Sequence, residues 1–210
     1  MTTPKINFIL LLPLLWTMGC REGRPSFEAP VLKNIGDYNV SVTTKSKYSQ
    51  MFFNQGIIMA NGFNQAEAER SFREAIRQDS TFAMGYWGIA YVLGPNFNSI
   101  DKMGTVDEIR KAVSKTVRLS EHASLWEKAL IKAIQIKFPM DTTATDGEGF
   151  SNSMKDAYLQ FPDNSFVATL YAESIMNLHP WDFYTRKGGE PRPWTPEIVS
   201  LLEKVISIFT

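Results

Sequence analysis

Residues 56–75 read GIIMANGFNQAEAERSFREA, and the spacing of their small and apolar side chains decides the fold. Upstream, Met51 and Phe52 join Ile57 to Met59 on either side of Gly56, and Asn61 with Gly62 supplies a helix stop of the left-handed type. Asn64 then opens a second helix: its side chain can accept an early backbone amide, and Glu67 three residues on completes a capping box. Glu69 suits the positive end of that helix's dipole. The second helix carries Ala68, Phe72, Ala75 and Ile76 on one face. Two helices joined by a tight Gly-Phe-Asn turn form a hairpin, whose backbones approach closely only where side chains are small.

The same grammar continues downstream. AMGYWGIAYVLG, residues 83–94, repeats the first-helix pattern with Tyr86 leading, Ile89 next and Ala90 at the small position. After the loop GPNFNSIDKMG, Thr105 and Glu108 cap a helix with the stripe Val106, Ile109, Val113 and Val117. Ser124 and Glu127 open another, which Pro139 ends. A helix from about Gly149 to Phe161 stops at PDN. SFVATLYAESIMNL and TPEIVSLLEKVISIF make a last pair, with Thr195 as cap and Pro196 at the first helical position. The pattern predicts about eight helices in four hairpins and no competing strand-period segment.

The offsets of Gly56, Ala68, Phe72 and Ala75, with Phe52 as leading aromatic, resemble the tetratricopeptide repeat, a helix-turn-helix unit of 34 residues running here from Ser49 to Phe82. Ser80 stands where that family usually has proline, and Met59 where tyrosine is common. The resemblance implies an all-α, right-handed α–α solenoid over residues 45–210, with the first helix of each hairpin lining a concave groove. Transferred position by position, the groove residues are Gln50, Phe53, Ile57 and Asn61 in the first unit, and Met84, Trp87 and Tyr91 in the second. This set is more apolar than charged, which suits a hydrophobic segment as ligand.

At the start of the chain, Lys5 precedes the apolar run Phe8–Trp16, which is too short to span a bilayer comfortably; residues 1–20 read as a signal peptide. Its end, TMGC, resembles the lipobox of bacterial lipoproteins, with Thr17 where an aliphatic residue is usual. That resemblance implies acylation of Cys20, palmitate among the chains, and a tether to the bacterial cell envelope on the periplasmic side or at the outer membrane. Several acyl chains anchor stably where one does not. Residues 21–44, with Pro25 and Pro30 and no sustained helical period, read as a flexible linker.

Composition narrows the function. The 22 basic and 22 acidic residues cancel, so no net field draws the protein to nucleic acid. Cys20 is the one cysteine, so no intramolecular disulfide forms. Asp141, Asp146 and Glu148 lack calcium-loop register, and Gly147 and Gly149 follow no strand, so neither a metal nor a phosphate is expected there. His122 has no second histidine at zinc-protease spacing, and His179 with Asp182 has no nucleophile set beside it by any motif. No cofactor is expected.

The cluster Trp181, Asp182 and Trp194, around TRKGGEPRP, has two roles open to it: pinning a long loop to the body, or forming a recognition lip. The reading is therefore a non-enzymatic scaffold that binds a protein or peptide, the competing class being an envelope hydrolase or an accessory subunit of an envelope enzyme. The apolar face Ile198, Leu201, Leu202, Val205, Ile208 and Phe209 predicts either further repeats beyond residue 210 or self-association through the last helix.

Overall fold

The computed structural model describes residues 26–98 and 104–209; the signal segment, Cys20 and the first residues of the linker lie outside them. Eight α-helices follow one another: α1 (Lys47–Asn61), α2 (Gln65–Gln78), α3 (Ala83–Leu93), α4 (Val106–Arg118), α5 (Leu125–Lys137), α6 (Gly147–Gln160), α7 (Ser165–Leu178) and α8 (Thr195–Phe209), with a 3₁₀ turn at Ser120–His122. The described residues contain no strand, so the protein is all-α. Each helix packs on its sequence neighbour, and α3 also packs directly on α1 and α5.

The small residues sit where helices cross. Phe72 of α2 is fully buried, and a Cβ on Gly56 of α1 would lie 2.5 Å from its ring. A Cβ on Gly88 of α3 would meet the same ring at 2.6 Å. One phenylalanine thus wedges between two helices that can receive it only because both lack a side chain there.

Caps mostly follow the sequence. Asn64 accepts from the Glu67 amide, although the return half of that box is not formed: Glu67 instead lies 3.4 Å from Arg70. Thr105 and Glu108 form a complete box. Three corrections concern termini. The left-handed residue after α1 is Phe63, at φ 57°, while Gly62 has φ −81°. Asn64 N–H to Met59 C=O at 2.9 Å and Phe63 N–H to Ala60 C=O at 3.0 Å close a Schellman motif with phenylalanine where glycine is usual. Thr195 lies inside α8, and its hydroxyl donates to the Phe183 carbonyl. α6 opens at Gly147, ahead of the expected Gly149, and Asp146 caps it through the Gly149 amide at 2.8 Å.

The largest departure is the linker. Residues 26–45 are an extended strap held on α1 and α2, not a free tether. Phe27 packs edge-on against Tyr48 and Phe52, and Ala29, Val40 and Val42 are buried. Side chains of the helices hold the strap's backbone. Gln55 accepts from Leu32 N–H at 2.9 Å and donates to Pro30 C=O at 3.0 Å; Gln50 donates to Val40 C=O at 2.8 Å and accepts from Val42 N–H at 3.0 Å. Glu74 accepts from the amides of Glu28 and Ala29, and Thr43 donates to Glu127 of α5 at 2.6 and 2.7 Å. The strap covers the flank of the first hairpin that faces away from α3 and α4.

At the other end, Ile198 and Leu201 of α8 are buried, whereas Val199 and Ile206 face outward and exposed. No helix among the described residues is long and apolar enough to cross a membrane.

Candidate functional site

The expected groove is largely filled. Phe53, Ile57, Met84 and Trp87 are core residues at most 1% exposed, so they offer almost no surface to a partner. Trp87 donates its indole N–H to the Leu130 carbonyl at 3.2 Å and packs edge-on against Phe166 of α7, because α5 and α7 close over the face that was expected to be open. Gln50 is engaged by the strap. Of the seven groove residues, only Asn61 and Tyr91 line open space together.

That space is a cup of about 180 Å³ where the C-terminal ends of α1, α3 and α5 converge on the side of α7. Its floor is polar. The Tyr91 hydroxyl donates to Glu173 Oε2 at 2.5 Å, and the buried Lys137 donates to the Pro95 carbonyl at 3.3 Å. The Lys137 ammonium also lies 4.9 Å from the centre of the Phe150 ring. Placing a cation on the last turn of α5 complements the partial negative charge of helix C-termini. Ala60, Met176 and Leu202 supply apolar wall, and Gln65 borders the cup with a buried Oε1 that has no hydrogen-bond donor. Glu173 lies deep among protein atoms yet keeps an edge open to the cup.

Burial sets the electrostatics of this floor. It raises the Glu173 carboxyl above its ordinary range, against the opposing pull of the Tyr91 hydrogen bond, the Lys137 charge and the Asn177 side chain. It lowers the Lys137 ammonium, with Glu173 acting the other way. The Tyr91 hydroxyl is pushed well above its usual value by burial and then by the Glu173 charge.

Above the floor runs an aromatic rim. Phe63 comes from the α1–α2 turn, Phe97 from the α3–α4 loop and Trp181 from the α7–α8 loop; ring centroids are 5.7 Å apart for the first pair and 6.2 Å for the second. Phe63 and Trp181 are 56% and 74% exposed, and both are held at positive φ, 57° and 60°. A non-glycine residue in that region costs about 1–3 kcal/mol and persists only where its surroundings impose it.

The two tryptophans of the α7–α8 loop are placed differently. Trp194 is a pin: it stacks on His179 at 3.6 Å and donates to the Asp182 carbonyl at 2.7 Å. The Asp182 carboxylate pairs with Arg192 at 2.8 Å. Trp181 is exposed at the mouth of the cup, beside Phe97. Sequence reasoning missed Phe63, Phe97, Lys137 and Glu173, although Glu173 is the only charged residue in the apolar run SFVATLYAESIMNL.

A second cleft, about 450 Å³, opens at the opposite ends of the same helices, where Lys45, Arg118 and His122 face Asp79, Glu121 and Glu127. Glu127 is already taken by Thr43 and by the Ser124 amide. Compared with models of protein families, with curated proteins and with solved structures, the chain matches none.

Proposed function

We propose that this chain is a protein-binding module of the tetratricopeptide type, a right-handed α–α solenoid tethered to the bacterial envelope through acylated Cys20, whose recognition surface is the aromatic rim. The repeat reading draws support from Phe72 seated between Gly56 and Gly88, and from first helices α1, α3 and α5 packed side by side. The observation that carries the binding reading is the rim itself. Three loops from three hairpins bring large rings to one aperture, and two of those rings are exposed on strained backbone. Rigid aromatics of this kind are favoured as interface anchors. The partner is a protein segment that offers apolar side chains to Phe63, Phe97 and Trp181; an extended peptide along α1 has no room, because the strap already lies there.

Capture from detergent-solubilised envelopes tests this. Wild type and a Phe63→Ala/Trp181→Ala variant are compared, with Leu159→Ala, an exposed residue of α6, as control. A partner retained by wild type and control but lost from the rim variant is the expected result. Equal capture by all three removes the rim from recognition, and hydrolytic activity in the same purified protein would favour the enzyme class. The tether is tested separately: a lipid probe should label wild type and fail to label Cys20→Ser.

A further inference from the structure

The floor of the cup holds two opposite charges that attract each other without meeting. Lys137 and Glu173 both line it, yet they do not close to ion-pair distance, and neither forms an ion pair elsewhere among the described residues. The Lys137 ammonium has three N–H groups and makes one hydrogen bond, to Pro95. The Glu173 carboxylate accepts from the Tyr91 hydroxyl on Oε2 and from the Asn177 side chain, which does not exhaust its two oxygens, and the Gln65 Oε1 acceptor at the edge of the cup is buried without a donor. Buried charges and acceptors left this way are costly unless something completes them.

A ligand that completes all of them carries a cationic head with several N–H donors and an anionic head. A simple amine would satisfy Glu173 and Gln65 but leave two Lys137 N–H donors without an acceptor, and a simple carboxylate would do the reverse. The cup's volume, below the about 300 Å³ at which pockets for drug-sized ligands begin, restricts the ligand to a small molecule. Its walls, Ala60, Met176 and Leu202, ask for an apolar side chain. We propose that the cup binds a free α-amino acid with an apolar side chain, its ammonium received by Glu173 and Gln65 and its carboxylate by Lys137. Phe63 and Phe97 of the rim also line the cup, so this small-molecule site lies directly beneath the protein-binding surface.

Calorimetric titration of the purified full-length chain with L-leucine, L-methionine and L-phenylalanine tests the site, each set against its N-acetyl and its amide derivative. At least one free amino acid should bind, and both of its derivatives should bind at least about tenfold more weakly, since each leaves one buried charge unpaired. Equal binding of the N-acetyl form would redirect the site to a chain's C-terminus, and equal binding of the amide to an N-terminus; either overturns the proposal, as does silence toward all three amino acids at millimolar concentration. Lys137→Met and Glu173→Gln should each weaken binding by about tenfold or more. If either variant fails to fold, the derivative series on wild type decides alone. The titration needs no protein partner, so its failure and a failure of rim-dependent capture are told apart.

Discussion

At the residue scale, Gly56, Gly88 and Phe63 invert the ordinary preferences of their positions. Alanine replaces glycine in a helix interior with a gain of about 1 kcal/mol when space allows. Here a Cβ at Gly56 or Gly88 drives into a fully buried ring at 2.5 or 2.6 Å. Gly56→Ala and Gly88→Ala should therefore each destabilise the protein, by about 1–3 kcal/mol in chemical denaturation; a gain at both positions would mean that Phe72 is not clamped. Phe63 is the opposite case. Glycine at its left-handed position should add up to about 1 kcal/mol of stability, while removing a ring of the rim. Phe63→Gly is thus expected to raise the unfolding midpoint and weaken partner capture together. A variant that loses both would show that the ring's contact with Phe97 outweighs the backbone strain. Glu173 carries a third residue-scale expectation. Because burial raises its folded-state pKa, its ionised form disfavours folding at neutral pH, and the penalty is relieved as pH falls through that raised value. Glu173→Gln should stabilise the unliganded protein near neutral pH, with a gain that shrinks toward acid. A gain independent of pH would detach it from ionisation.

At the scale of elements, the strap is where side chains do the work that a neighbouring strand does in a sheet. Val40 and Val42 point inward while Asn39, Ser41 and Thr43 stay exposed, a two-residue period, but the backbone groups between them pair with Gln50 and Asn54 instead of another strand. Gln50→Leu removes both bonds to the strap and leaves the Val40 carbonyl and Val42 amide without partners. It should cost about 1–3 kcal/mol, read as a lowered denaturation midpoint and faster amide exchange at residues 40–42. Unchanged exchange there would mean that apolar burial alone holds the strap. This element also marks the limit of what could be read ahead. The four hairpins, the crossing glycine and the Thr105–Glu108 and Ser124–Glu127 caps were legible, because helical period and capping chemistry act over three or four residues. The alternation in YNVSVT was visible too, but prolines and the absence of helical period drew attention to the segment as a tether. The cup was not legible: Asn61, Tyr91, Lys137 and Glu173 lie on four different helices, and only the curl of the whole chain brings them together.

At the scale of the whole molecule, that curl separates this protein from an open array in which each hairpin meets only its neighbours. An open array gains stability from intrinsic terms and nearest-neighbour interfaces, and can lose terminal units first. Here contacts skip units. Thr43 at the head of α1 holds Glu127 of α5, Tyr91 of α3 holds Glu173 of α7, Trp87 packs on Phe166, and the Phe63–Phe97–Trp181 chain joins the first, second and last hairpins across the mouth. These ties make partial opening lose contacts at both ends at once, which favours a single cooperative transition. Far-UV circular dichroism, which averages all eight helices, and tryptophan fluorescence, to which Trp87 in the core, Trp126, Trp194 and the rim residue Trp181 all contribute, should therefore give coincident denaturation curves. Tyr91→Phe deletes one tie without changing core volume, so it should shift both curves down together and keep them superimposed. Two separated transitions in wild type would mean that the contacts across the mouth are too weak to couple the hairpins. The cup would then open independently of the core, and ligand binding beneath the rim would have to supply the closure that the fold itself does not.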